Sequence, residues 1–150
     1  MSSVASDVSA RIGRLEDRRE ILRLFMDYGR LLDTKDWAPY SELFAATGQL
    51  VSSSGVGAAT GPAEIRQLFD ETLKDVPVGA RHVFSNISVD IDDSTATARS
   101  MWMYVTSGEN QWPRVLQFGR YDDTIVREDG RWKFQKREIT RAIGFPPYKR

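Results

Sequence analysis

A change of hydrophobic periodicity near residue 80 constrains this chain more than any other feature. Before it, apolar residues recur at three- and four-residue spacing, which predicts helices over 10–34, 37–45 and 62–73, with a short strand over 49–53. After it, apolar and polar residues alternate, which predicts strands over 82–91, 95–106, 115–127 and 131–142. The sequence therefore predicts a cone-shaped α+β fold: three N-terminal helices on a strongly curved, mostly antiparallel sheet that encloses a pocket.

The length of 150 residues suits one domain over 1–150. We expect residues 1–8 to be a flexible N-terminus and residues 143–150 to be an irregular C-terminal tail. Trp132 and Phe134 fall on one face of the last strand and Ile139 on the other, so we expect a bulge over 136–138.

Composition excludes several classes of function. Lys and Arg together number 21, as do Asp and Glu, so a net charge of zero gives no long-range attraction to nucleic acid or an anionic membrane. The absence of Cys excludes thiolate nucleophiles and thiolate metal sites, and a single His argues against a metal centre. We therefore expect no metal, no cofactor, no nucleic-acid partner and no membrane partner.

The sequence also bears on targeting and nucleotide binding. No basic segment followed by an apolar one opens the chain, and no apolar run approaches the ~20 residues that span a bilayer, so we expect a cytoplasmic protein. The glycine-rich stretch Ser54–Gly61 lacks the spacing of a dinucleotide-binding fingerprint, and we expect it to form a loop.

Three polar side chains are the candidates for chemistry. His82 is the only histidine, and its ordinary pKa lies near neutrality, so it is either a hydrogen-bonded structural residue or a base. Asp33 follows Leu22, Met26 and Gly29 at helical spacing, near the end of the first helix, where the helix dipole opposes an acid. It therefore needs a hydrogen-bonding or cationic partner. Tyr28 lies on the buried stripe of the same helix.

The residues around His82 read as a strand with two faces. Alternation predicts Val83, Ile87, Val89 and Ile91 on one face and His82, Phe84, Asn86 and Ser88 on the other. Asp122 and Asp123 interrupt a later strand, and we interpret them as strand-edge polarity; an inward Asp122 is the alternative, as a candidate second base.

Four stretches carry a family resemblance: 15–21, 28–37, 81–86 and 129–134. They resemble SnoaL-like proteins of the nuclear-transport-factor-2-like, or cystatin-like cone, superfamily, and Asp33–Trp37 and Arg81–Phe84 are similar to segments of scytalone dehydratase-like members. The resemblance implies that Asp33 and His82 form a catalytic dyad, with Tyr28 as general acid or carbonyl anchor. It also implies a homo-oligomer, dimer or trimer, formed through the sheet.

The resulting hypothesis is a small-molecule lyase that performs a dehydratase-type elimination. His82, oriented by Asp33, would remove a proton next to a carbonyl of a cyclic or aromatic substrate. The expected substrate-binding side chains are Trp37, Phe84, Asn86, Trp102, Met103, Tyr104 and Phe118. One alternative is a non-catalytic binding or assembly module on the same fold. The other is a ketosteroid-isomerase-like or cyclase-like enzyme, and a ketosteroid-isomerase-like enzyme would need an Asp base opposite a Tyr.

Overall fold

The computed structural model describes residues 2–53, 55–76 and 79–144. Its helices are α1, Ser2–Thr34; α2, Trp37–Ser41; and α3, Gly61–Leu73. Residues 2–8, expected to be flexible, belong to α1. Pro62 lies in the first turn of α3, where its missing N–H costs no helical hydrogen bond. No helix in the described ranges has both the length and the apolarity to cross a lipid bilayer.

The described part of the chain contains six strands, which form one sheet in the order β2-β1-β6-β5-β4-β3. Their bounds are β1, Phe44–Ser52; β2, Gly57–Thr60; β3, Arg81–Asp92; β4, Thr95–Ser107; β5, Pro113–Glu128; and β6, Arg131–Gly144. Strands β1 and β6 pair in parallel, and every other neighbouring pair is antiparallel. The predicted α+β class is therefore confirmed, with the helices packed on a mostly antiparallel sheet.

Two predictions before residue 80 are wrong. The second helix ends at Ser41 instead of continuing to residue 45, and β1 starts at Phe44. The N–H of Phe134 in β6 donates to the carbonyl of Leu43, so pairing with the last strand overrides the local helix propensity of the Ala-rich segment. Residues 57–60, expected to lie in a loop, form β2 and pair with the outer edge of β1.

Bulges decide which side chains of β3 and β6 face the helices. In β6, Gln135 interrupts the register between Phe134 and Lys136, one residue before the predicted window, so Arg137 and Ile139 face inward as Phe134 does. In β3, the register breaks between Ser85 and Ser88, and Asn86 has a φ of 52°.

The bulge in β3 makes the predicted faces of this strand wrong. His82 and Phe84 face inward before the bulge, and Ile87, Val89 and Ile91 do so after it. Val83, predicted on the same face as Ile87, is 41% exposed on the other side of the sheet.

The buried face of α1 is the predicted one: Ile21, Phe25, Tyr28 and Leu32 all lie in the core. Gly29 is required by a close approach, because a Cβ there would lie 2.5 Å from the ring of Phe84. At the other end of the chain, Ile143 and Gly144 belong to β6, and the rest of the expected tail lies outside the described residues.

Candidate active site

Asp33 and His82 form a direct hydrogen bond between the last turn of α1 and the start of β3. Oδ1 of Asp33 lies 2.7 Å from Nδ1 of His82, and the two carboxylate oxygens accept from the backbone N–H of His82 at 3.0 and 3.2 Å. The side chains are 11% and 16% exposed. The carboxylate of Asp33 thus holds both the main chain and the ring of His82 in place. In return, His82 is the hydrogen-bonding partner that an acid at this end of a helix needs.

This geometry assigns the roles of the imidazole nitrogens. Because an ionised carboxylate only accepts, Nδ1 carries the hydrogen that it donates to Asp33. In the neutral ring Nε2 is then the nitrogen that accepts, and it is available as a base.

The dyad opens onto a cavity between the helices and the inner face of the sheet. Its volume is about 70 Å³, counted as the space that the centre of a water molecule can occupy. A single water needs about 10–15 Å³ on this measure, so the cavity has room for a small ligand. The wall is mostly apolar, with a few polar groups, as is usual for ligand sites. The lining residues are Tyr28, Leu32, Asp33, Lys35, Val56, Phe69, Leu73, Val76, Ala80, His82, Trp102, Tyr104, Gln117, Tyr121 and Ile139.

Tyr104 lies beside the dyad. It is the direct cross-strand partner of His82, and the centroids of the two rings are 4.9 Å apart. Burial raises the pKa of Tyr104 above its ordinary value of 10.0, and the negative charge of Asp33 raises it further. The phenol is therefore protonated at neutral pH.

Tyr28 also lines the cavity, but its hydroxyl is enclosed. That oxygen is buried, and the hydroxyls of Tyr40 and Tyr121 lie close enough to influence its pKa. The ring packs against Tyr40 and Tyr121, and the guanidinium of Arg137 lies 4.1 Å from its centroid. Burial raises the pKa of Tyr28, while the charge of Arg137 acts in the opposite direction.

A buried ion pair, not predicted from the sequence, lies behind this wall. Nε and Nη2 of Arg137 each donate to one oxygen of Asp123 at 2.7 Å, and neither side chain has any exposed surface. Burial opposes the charge of Arg137, but the Asp123 carboxylate outweighs it and raises the pKa of the guanidinium. The alternation from Tyr121 places Asp123 inward, and this signal was available in the sequence.

The prediction that Asp122 could point inward as a second base is wrong. Its carboxylate lies on the outer side of the sheet, where it accepts from Arg99 at 2.8 Å and from Arg120 at 2.6 Å. These two partners, set against partial burial, hold the pKa of Asp122 below its ordinary value.

Of the seven side chains expected to bind substrate, Trp102 and Tyr104 line the cavity. Trp37 is buried against Tyr40 and Phe69 instead. Phe84 is likewise not in the wall, because its ring fills the space above Gly29.

The other three are excluded by strand geometry. Asn86 is exposed at the bulge of β3. Met103 and Phe118 pair with each other across β4 and β5, on the face opposite that of Trp102 and Tyr104.

Several lining residues were not predicted. Gln117 and Tyr121 follow from the alternation of β5, a signal that the sequence contains. Lys35 could not be found in this way: its ammonium reaches the carbonyls of Leu73 at 2.8 Å and of Val76, 38 and 41 residues away. Within the described ranges, no three His, Asp or Glu side chains are grouped so that they could hold a metal ion.

Comparison with known proteins agrees with this architecture. A family model described as the SnoaL-like domain matches residues 13–138. No curated protein matches the sequence significantly.

Solved structures match over most of the chain. An NTF2-like protein with a cystatin-like fold from Novosphingobium aromaticivorans has a TM-score of 0.80 and 28% identity, over 93% of this chain and 90% of that one. A candidate scytalone dehydratase from the same species has a TM-score of 0.75 and 27% identity, over 91% of both chains. ActVI-ORFA from Streptomyces coelicolor, at 23% identity and a TM-score of 0.73 over 83% of this chain and 97% of that one, shares the fold.

Proposed function

We propose a lyase activity for this chain, which belongs to the SnoaL-like domain family of small-molecule-processing enzymes. The substrate would be a cyclic or aromatic hydroxy ketone. The reaction would be a dehydratase-type elimination of water. The similarity to a candidate scytalone dehydratase at 27% identity supports this reaction type. The observation that carries the proposal is the 2.7 Å contact between Asp33 and His82 at the wall of an apolar cavity.

In this mechanism His82 is the base. Nε2 takes the proton from the carbon next to the carbonyl, the C–H electron pair forms the enolate, and the β-hydroxyl then leaves as the double bond forms. Asp33 keeps Nδ1 protonated and stabilises the imidazolium that results. General base catalysis of this kind contributes about 10²–10⁴-fold.

Tyr28 serves as carbonyl anchor or general acid only if a bound substrate reaches its hydroxyl, which the surrounding rings enclose. Tyr28→Phe removes that hydroxyl and keeps the ring stacking. A loss of turnover would support a contact with substrate. Unchanged turnover would assign Tyr28 to the aromatic core.

The dyad can be tested with 3-hydroxy-1-tetralone, a cyclic β-hydroxy ketone that loses water to give fluorescent 1-naphthol. We expect His82→Ala to lower kcat by about 10²–10⁴-fold. The matched control is Val83→Ala, because Val83 is the next residue of β3 and lies on the outer face of the sheet. It should keep native turnover.

Turnover that persists in His82→Ala would refute the dyad. Binding of the tetralone by the native protein without any 1-naphthol would favour the non-catalytic binding module. The expected homo-oligomer stays a prediction, and light scattering coupled to size-exclusion chromatography would decide between a dimer, a trimer and a monomer.

A further inference from the structure

We infer that Tyr104 is a catalytic residue that donates its phenolic proton to the departing hydroxyl of the substrate. The inference rests on the proposed elimination and extends it, because a hydroxyl leaves carbon far more readily as water than as hydroxide. Nε2 of His82 takes a proton, and the departing hydroxyl needs a proton donor within its reach.

Tyr104 lies next to the candidate base. Tyr104 and His82 are directly opposite each other in the β3–β4 ladder, so their side chains leave the sheet on the same face. Their ring centroids are 4.9 Å apart and both residues line the cavity. A substrate whose α-carbon reaches His82 therefore has its β-carbon within range of a phenol on the neighbouring strand.

The hydroxyl of Tyr104 is accessible from the cavity. Within the parts of the chain that the structure describes, the hydroxyl of Tyr104 makes no hydrogen bond. It is also not one of the fully buried polar groups that lack a partner, so it keeps some contact with open space. The hydroxyls of Tyr28 and Tyr40 are both enclosed. The phenol next to the base is thus unengaged and open to a ligand, whereas the phenol on α1 is walled in.

The protons and electrons balance over one cycle. The C–H bond breaks as Nε2 takes the proton, and its electron pair becomes the new double bond. The C–O bond then breaks, and its electron pair stays on the leaving oxygen. This oxygen takes the phenolic proton of Tyr104 and becomes water. The phenolate and the imidazolium face each other across the two strands, and return of the proton from Nε2 to the phenolate restores both residues. The products are the unsaturated ketone and water.

The phenol carries the proton that a donor needs, and its raised pKa makes it a weak acid until the imidazolium forms beside it. Burial and the charge of Asp33 keep the phenol protonated at neutral pH. The phenolate is stabilised only while the imidazolium faces it, so transfer of the proton is coupled to the base step.

The test compares two leaving groups in the Tyr104→Phe variant. 3-Hydroxy-1-tetralone loses water and 3-chloro-1-tetralone loses chloride, which needs no proton; both give 1-naphthol. We expect Tyr104→Phe to slow the hydroxy substrate by about 10²–10⁴-fold and the chloro substrate by less than about 3-fold. Met103→Leu, on the opposite face of the same strand, should leave both rates at their native values.

Each other result refutes the inference in a distinguishable way. An equal loss on both substrates would mean that Tyr104 only shapes the cavity. No loss on the hydroxy substrate, or a leaving-group-selective loss in Tyr121→Phe instead, would remove Tyr104 from the mechanism while the dyad stands. Conversion of neither substrate by the native protein, or full conversion by His82→Ala, would overturn the elimination itself.

Discussion

Arg137→Met should strongly destabilise the folded protein. The side chains of Arg137 and Asp123 are both completely buried and joined by two hydrogen bonds of 2.7 Å, so the substitution leaves a carboxylate without its partner in the core. Breaking a buried pair from one side costs about 3–5 kcal/mol. Since a domain of this size has a free energy of unfolding of about 5–15 kcal/mol, the loss is about a fifth of the total or more.

The matched control is Arg99→Met. Arg99 also pairs with an aspartate of β5, Asp122, at 2.8 Å, but its side chain is 66% exposed. Solvent screens such a pair, and its removal should cost about 0–1 kcal/mol. Urea unfolding followed by circular dichroism at pH 7 measures both variants on one scale.

A double variant and a pH series separate the lost pair from lost packing. In Arg137→Met/Asp123→Leu neither charge remains, so most of the stability should return. Burial already raises the pKa of Asp123, and loss of the guanidinium raises it further. A carboxyl whose folded pKa exceeds its unfolded pKa loses stability as pH rises, so the deficit of Arg137→Met should be larger at pH 7 than at pH 5. The reasoning fails if Arg137→Met costs no more than Arg99→Met, or if the double variant is as unstable as the single one.

Two further predictions concern α1 and the phenol beside the dyad. Gly29→Ala should destabilise by up to about 2 kcal/mol, because overpacking against Phe84 at 2.5 Å outweighs the gain of about 1 kcal/mol in helix propensity. The control is Gly13→Ala, which should not destabilise the protein because no atom lies within 4 Å of the new Cβ. Thermal unfolding compares the two variants, and equal shifts of the melting temperature would contradict the packing explanation. Because the pKa of Tyr104 is raised in the folded protein, the free energy of unfolding should fall as the pH rises above about 10. This fall should be smaller in Tyr104→Phe. If urea unfolding gives both proteins the same dependence of stability on pH between about pH 9 and 11, the pKa of Tyr104 is not raised.

Local pattern predicts most of the elements and the two side chains at the centre of the candidate site. The spacing of Tyr28, Leu32 and Asp33 on α1, together with the opposing helix dipole, predicted an inward acid in need of a partner. His82 at the start of a strand was visible from alternation. That these two side chains meet was implied by family resemblance, and the structure brings them to 2.7 Å.

Long-range pairing was beyond local pattern. The segment that begins at Phe44 has helix propensity by itself, and only its hydrogen bonds to β6 make it a strand. Lys35 reaches the cavity wall through carbonyls about 40 residues away, a contact that leaves no periodic trace in the sequence.

Helical and strand periods are local properties of the chain, so most of the elements, the α+β class and the positions of Asp33 and His82 in those elements follow from local pattern. Only the pairing of the strands places Arg137 against Asp123 and turns Ile87 toward the helices. The physical reason is the bulge: one extra residue, at Gln135 in β6 or near Asn86 in β3, exchanges the two faces of every residue that follows, and its position depends on the partner strand.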